Sequence, residues 1–183
     1  MSTIRMARES DGSAILAIYA PFCEKSAVSF ETIAPFPEEM ARRIRETLGK
    51  FPWLVAESEG KVAGYAYASS HRQRAAYRWS VETTVYVSDG QRRDGIGRAL
   101  YQNLFALLRR QGFFNAFAGI TLPNPASVGF HEALGFKPVG VYRKVGYKMG
   151  TWHDVGWWQL ELQPHGIEPE EPKGLAETLI SLS

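Results

Sequence analysis

Three groups of side chains in this sequence have types and spacings that could do chemistry. The first is the turn over 89–98, Asp-Gly-Gln-Arg-Arg-Asp-Gly-Ile-Gly-Arg, with Arg92, Arg93 and Arg98 set around Gly95 and Gly97. A β-branched, aromatic stretch over 79–88 precedes it, and Ile96, Leu100, Leu104, Leu107 and Leu108 follow at helical spacing. A strand fed into a helix through such a turn leaves free N–H groups and a positive dipole end facing solvent, where a phosphate can bind. A Walker loop needs Gly-Lys-Ser or Gly-Lys-Thr, whereas Gly97 is followed by Arg98 and Ala99; a dinucleotide fingerprint needs a third glycine where Leu100 stands. What remains, Arg92-x-x-Gly95-x-Gly97, is a pyrophosphate site in outline, with an ordinary tight turn as its plainer reading. The second group is Glu82, one carboxylate in an otherwise apolar strand. It reads equally as a general base and as a solvated strand residue. The third is Arg72 and Arg74, two apart, so that an extended segment would point both to one side and grip two anionic oxygens. A flexible basic loop is the rival. His131-Glu132 is no zinc motif, because position 135 is glycine, and His71, His153 and His165 lack ligand spacing, so no metal is expected.

The elements that must position these groups can be read along the chain. At 183 residues, 45% hydrophobic and 22% charged, it is one domain with enough apolar material for a core. Twenty-one basic against nineteen acidic residues leave +2, which implies no general affinity for nucleic acid or membrane. Local basic clusters at 42–45, 72–78 and 92–98 suit small anions instead. The single Cys23 excludes an intrachain disulfide, and no apolar run approaches ~18 residues, so a cytoplasmic protein is expected. The pattern predicts a strand near Ile4 and Met6, a helix capped by Ser10 or Asp11, a loop over 26–36, and a helix from Pro37 ended by Gly49. A hairpin over 52–69 follows, turning at Glu59-Gly60, with little side-chain bulk at Ala63, Gly64, Ala66 and Ala68. After the central strand and helix come a strand over 114–120, a helix capped by Asn124 and stopped by Gly135, and strands over 139–142 and 155–162. The order β-α-α-β-β-β-α-β-α-β-β is α/β with a mixed sheet. The domain is expected over 1–163, with 164–183 a linker-like tail ending in a short helix.

Several segments carry a resemblance. They are Ser29-Phe30, Gly64-Tyr-Ala-Tyr-Ala68, Arg72 and Arg74 before Ala76-Tyr77, Val81-Glu-Thr-Thr-Val-Tyr-Val87, the glycine turn, Asn124-Pro-Ala-Ser127, His131-Glu-Ala-Leu-Gly-Phe136, and Gly146-Tyr-Lys-Met-Gly-Thr-Trp-His-Asp-Val155. Together, from about residue 4 to about 163, the chain resembles the phosphinothricin and methionine sulfoximine N-acetyltransferases of the Gcn5-related superfamily. The resemblance implies that superfamily's α/β fold, a mixed, mostly antiparallel sheet flanked by helices. It implies transfer of acetyl from acetyl-CoA to the α-amine of a small amino acid such as phosphinothricin, methionine sulfoximine or methionine sulfone, in a homodimer.

The resemblance also implies the roles. Val85, Tyr86 and Val87 would hold the pantetheine arm and thioester through backbone N–H groups, one of which would steady the developing oxyanion. Arg92, Arg93, Asp94, Gly95, Ile96, Gly97 and Arg98 would take the diphosphate, with Asn124 and Ser127 also on the coenzyme. An α-ammonium must lose a proton before it attacks, and Glu82 would be the base, acting directly or through water. His131 stands where much of the superfamily has a tyrosine acid, although a histidine packed on a short helix explains it as well. Phe30, Arg72, Gln73, Arg74, Tyr77, Trp79, Glu82, Thr83 and Thr84 would form the acceptor site. Two other readings stay open: transfer to another small amine, against which two arginines argue because cationic acceptors want acidic pockets, and a catalytically idle coenzyme A-binding module.

Overall fold

In the computed structural model, residues 2–91 and 94–180 are described. The expected elements form in the expected order. They are β1 (Thr3–Met6), α1 (Gly12–Glu24), α2 (Pro37–Leu48), β2 (Trp53–Ser58), β3 (Lys61–Ser70), β4 (Ser80–Val87), α3 (Ile96–Gln111), β5 (Asn115–Leu122), α4 (Pro125–Glu132), β6 (Lys137–Lys148), β7 (Thr151–Glu161) and α5 (Leu175–Ile180). One seven-stranded sheet has the order β1-β2-β3-β4-β5-β7-β6, antiparallel at every pairing except β4 with β5.

Strand alternation divides the core between the two faces. On one face α3 buries Ile96, Leu100, Leu104 and Leu108 against Ala66, Ala68, Val81 and Ala116. Each such leucine contributes about 1.5–3 kcal/mol of burial. The alanines on β3 let that helix lie close. On the other face α1 and α2 cover Trp53, Val55 and Tyr65 with Ile15, Ile18, Met40 and Ile44. The β2–β3 hairpin turns through Glu59 and Gly60, both at positive φ, the conformation a two-residue turn needs.

Several local expectations change. Asp11 stands at the N-cap of α1, but its carboxylate takes Arg5 at 2.8 Å and the Arg8 N–H at 2.8 Å and leaves the helix amides alone. Gly49 ends α2 in a right-handed conformation, φ −62°, so it does not act as a left-handed cap. The last hairpin is far longer than strands over 139–142 and 155–162. Residues 143–154 mix exposed apolar side chains with charged ones and two glycines, so no unbroken two-residue period marks a strand, yet they pair along a sheet edge that faces solvent. Between Tyr142 and Gly146 the register slips through a bulge, with Lys144 at positive φ and its N–H donated to Asp154 Oδ1 at 2.7 Å. The segment over 164–174 has no regular structure, but it lies along the domain. Trp79 donates its indole N–H to Glu170 O at 2.8 Å, Lys173 N–H goes to Gln111 O at 2.7 Å, and α5 buries Leu175 beside α3.

Candidate active site

The sheet forks at its centre. β4 and β5 pair at only three rungs, Ser80 with Asn115, Val81 with Ala116 and Glu82 with Phe117. Both then continue, to Val87 and to Leu122, without pairing to each other. Beyond Glu82 the outer edge of β4 therefore faces a cleft, where its backbone donors and acceptors can serve a ligand. Thr84, Val85 and Tyr86 line one wall of that cleft, Gly119 to Thr121 the other, and Asn124, Ser127 and His131 of α4 its floor, enclosing about 110 Å³. A larger open groove of about 1040 Å³ runs from α1 to Ser88 and Asp89. Its lining mixes cations and anions, Arg5, Lys25 and Lys61 with Asp11, Glu57 and Asp89.

The start of α3 adjoins the fork. Gly95 is its N-cap at φ 78°, a left-handed conformation that suits glycine, and it has no side chain with which to cap the first amides of this 16-residue helix. Ile96 is buried, so only its backbone can meet a ligand, while Arg98 and Asp94 are exposed. A methyl at Gly97 would sit 3.3 Å from the ring of Phe130. Arg92 and Arg93 lie outside the described residues. An open fork beside a helix N-terminus fits a ligand that joins a thioester arm to a diphosphate.

Glu82 sits on the last paired rung. Its Oε1 is 3.1 Å from His71 Nδ1 and 3.3 Å from Arg72 Nη1. His71 was absent from the residues the sequence singled out for chemistry. Its ring stacks on Phe117 at 4.2 Å and 12° and meets Tyr77 edge-on at 5.9 Å. Arg72 also donates to His71 O at 2.9 Å, reaches Tyr142 Oη at 3.5 Å, and lies 5.8 Å over the Trp157 ring. A small recess of about 120 Å³ opens between His71, Arg72, Phe117, Tyr142 and Trp157. Trp157 packs across the strand on Gly119, where an added Cβ would meet its ring at 3.3 Å. Ser69 faces Glu82 in the β3–β4 register. His71, two residues on, is the diagonal neighbour on the same face. Knowing that register would have exposed the pair.

The acceptor residues named from sequence do not all meet. The chain bends at 71, 73 and 74 and then takes a 3-10 turn over Ala75–Tyr77, so it is not the extended run that would aim Arg72 and Arg74 together. Arg72 turns to Glu82, and Arg74 and Gln73 are exposed. Phe30 lies against Gly146 of β6, Tyr77 against His71, and Trp79 in a separate recess with Phe114 and His165, under the chain over 164–174. Trp79 is thus parted from the other two aromatics, because it precedes β4 at the closed end of the fork. Thr84 shares the face of Glu82, whereas Thr83 is buried on the α3 face, its Oγ1 donating to Phe117 O at 3.4 Å.

His131 is buried on α4. Its Nδ1 lies 2.8 Å from Ser127 O, which can only accept, so Nδ1 carries the proton and Nε2 accepts from Tyr101 Oη at 3.2 Å. Burial lowers its pKa below the ordinary 6.5, so the ring is neutral near pH 7. Burial likewise raises the Tyr101 phenol. Neither nitrogen of His131 turns a free N–H toward the cleft. Asn124 caps α4, accepting from Ser127 N–H at 3.1 Å, as its position before Pro125 predicts.

The chain was compared with known proteins. Residues 4–157 match the acetyltransferase (GNAT) domain family. Over 170 residues the chain is 45% identical to a phosphinothricin N-acetyltransferase of Streptomyces viridochromogenes, covering 92% of this chain and 93% of that one. It is 37% identical over 170 residues to an L-methionine sulfoximine/L-methionine sulfone acetyltransferase of Pseudomonas aeruginosa, covering 92% and 99%. Among solved structures, a phosphinothricin acetyltransferase from Sinorhizobium meliloti in complex with AcCoA superposes with a TM-score of 0.88 at 36% identity, covering 93% and 94%.

Proposed function

Since this chain belongs to the Gcn5-related acetyltransferase family, in its phosphinothricin and methionine sulfoximine branch, we propose that it acetylates the α-amine of a small amino acid from acetyl-CoA. Phosphinothricin, methionine sulfoximine and methionine sulfone are the candidate acceptors. The observation that carries this reading is that the sheet parts one rung beyond Glu82. A carboxylate at the mouth of a fork stands beside whatever thioester the fork holds, within reach of an amine that arrives from the α1–α2 face.

The cosubstrate supplies the activated acetyl group. The chain's own part is to orient and to move a proton. Backbone groups of Val85, Tyr86 and Val87, unpaired by β5, hold the arm, and the N-terminus of α3, with Arg98, takes the diphosphate. Glu82 receives the amine proton, directly or through one water, while His71 and Arg72 fix its carboxylate. Basic Arg72 beside this carboxylate favours an acceptor that brings its own anion and disfavours a polyamine. The neutral His131, bonded on both nitrogens, serves to order α4. A cytoplasmic setting accompanies this reading, because the cosubstrate is an intracellular metabolite. Among the described residues, no helix is long and apolar enough to cross a membrane.

We also propose a homodimer. The edge hairpin exposes Val139, Val141, Val145, Tyr147, Met149 and Trp152, each more than 40% accessible, an apolar row that a partner could cover. Native mass measurement tests it. A thiol-release assay over a panel of amino acids and amines tests the activity. Turnover on methionine sulfoximine or phosphinothricin supports the reading, turnover confined to cationic amines replaces the acceptor, and no turnover with tight acetyl-CoA uptake leaves only a binding module.

A further inference from the structure

Lys148 ends β6 almost fully buried, 7% accessible. Its Nζ lies 2.6 Å from Ser29 O, 2.7 Å from Glu31 O and 3.4 Å from Phe22 O. An ammonium has three N–H donors, and here three main-chain carbonyls meet them. No carboxylate pairs with it among the described residues. Burying a charge is costly unless its bonds are made, and these carbonyls make them. Phe22 belongs to the last turn of α1, the end of a helix that attracts a cation. Ser29 and Glu31 flank Phe30, so one nitrogen grips the backbone on both sides of that aromatic.

The same strand also holds the ring of Phe30. Gly146 and Lys148 are two apart and project to one side of β6. A Cβ at Gly146 would meet Phe30 ring atoms at 2.2, 2.6 and 2.8 Å, so only glycine leaves room for the ring. The strand end is itself braced. His153 Nε2 donates to Lys148 O at 3.0 Å, and the bulge at Lys144 is tied to Asp154. Val28, in the same loop, lines the cleft with Thr84, Val85 and Tyr86.

We infer that Lys148 and Gly146 form a two-point lock by which the last hairpin sets the α1–α2 loop, and that Lys148 is a positioning residue for acceptor selection. It touches no reacting atom. It acts through the loop whose carbonyls it holds, which carries Phe30 against Gly146 and Val28 into the cleft lining. Its kinetic consequence rests on the acceptor reading above, whereas its conformational consequence does not.

The test uses the full chain. Lys148→Met removes the three bonds and keeps the stem. The KM for methionine sulfone should rise about tenfold or more, by the sensitivity of rate to sub-ångström placement, with the Kd for acetyl-CoA within about twofold. Trypsin cleavage after the exposed Lys25, followed by mass spectrometry, should quicken about tenfold as the loop is freed. Lys148→Arg keeps the charge but offers a planar fork to carbonyls gathered round a point, so it should rescue only in part. Gly146→Ala, with the charge intact, should reproduce the KM effect, and the double variant should be less than additive. A folded Lys148→Met protein with unchanged acceptor KM and unchanged cleavage overturns the lock. Equal losses for acetyl-CoA and acceptor overturn it too, because they mark a general scaffold role. If Lys148→Met does not fold, Gly146→Ala decides, and an unaltered acceptor KM there sinks the proposal. If the wild type acetylates nothing in the panel, the proposed function fails, and cleavage after Lys25 still judges the lock.

Discussion

Replacing Glu82 by Gln separates a base from a brace, because the two roles differ in size. As a brace, Glu82 makes two contacts of 3.1 and 3.3 Å with its side chain 31% accessible. Partly exposed pairs of that kind contribute about 0–1 kcal/mol, and the glutamine oxygen retains the acceptor for His71 and Arg72. Stability should therefore change by no more than about 1 kcal/mol. As a base, the group lowers the barrier by the equivalent of about 10²- to 10⁴-fold in rate, about 2.7 to 5.5 kcal/mol. The loss in kcat should thus exceed the loss in stability several times over. The pH profile gives a second handle. An α-ammonium with a pKa of about 8 to 9 loses its proton to solvent only as pH rises, so the variant's kcat/KM should climb about tenfold per pH unit until the amine has titrated. The wild type should level off well below that point. The assay is thiol release from saturating acetyl-CoA with methionine sulfone between pH 6 and 10, beside urea unfolding of both proteins. A variant within tenfold of the wild type across that range, or one whose lost activity tracks lost stability, would refute the role of base.

Three further outcomes follow from the packing. His131 is held neutral by burial, its pKa below the ordinary 6.5, so its contribution to stability is complete above pH 6.5 and fades as pH falls through that value toward the folded pKa, where the unfolded chain binds a proton the folded one refuses; His131→Phe should shrink the stability difference between pH 7.5 and 5.5 and lower kcat less than about tenfold. At Gly64 an added Cβ would stand 3.0 Å from Tyr86 O and 3.2 Å from Ile96 Cγ2, so Gly64→Ala should cost about 1–3 kcal/mol by overpacking and weaken acetyl-CoA binding in calorimetry, since it pushes on β4 and on the first residue of α3 together. Ending the chain at Gln163 strips Leu175 from α3 and removes Lys173 O, one of two carbonyls that Gln111 Nε2 holds; urea unfolding should show a loss of about 2–4 kcal/mol, and an unchanged midpoint would mean that residues 164–180 lie on the domain without stabilising it.

What the sequence could disclose divides by distance along the chain. The turn before α3 was legible because all its parts are local: a β-branched strand, Gly95 where the backbone is left-handed, and a leucine stripe beyond. Asn124 with Pro125 named the start of α4 for the same reason. The order of the elements came through too, since each has its own periodicity. Periodicity has little grip where an exposed strand is interrupted by a bulge, and so the middle of the last hairpin, broken at Lys144, went unread.

The site proved harder because its working groups are joined by register. Glu82 could be seen as an isolated carboxylate in an apolar strand, but that His71 lies beside it depends on Ser69 facing Glu82 across β3 and β4, which no local pattern states. The same holds for Trp157, set by its pairing with Gly119, and for Lys148, whose three carbonyl partners lie 117 to 126 residues away. Arg72 and Arg74 failed in the opposite way. Their spacing would align them in an extended segment, yet the bends at 71, 73 and 74 turn Arg72 alone to the carboxylate. A two-residue spacing is informative only where a ladder keeps the chain straight. The connection between β3 and β4 has none, because β3 ends at Ser70 and β4 begins at Ser80. The residues that bond Glu82 thus come from a connection whose shape the sequence leaves least determined.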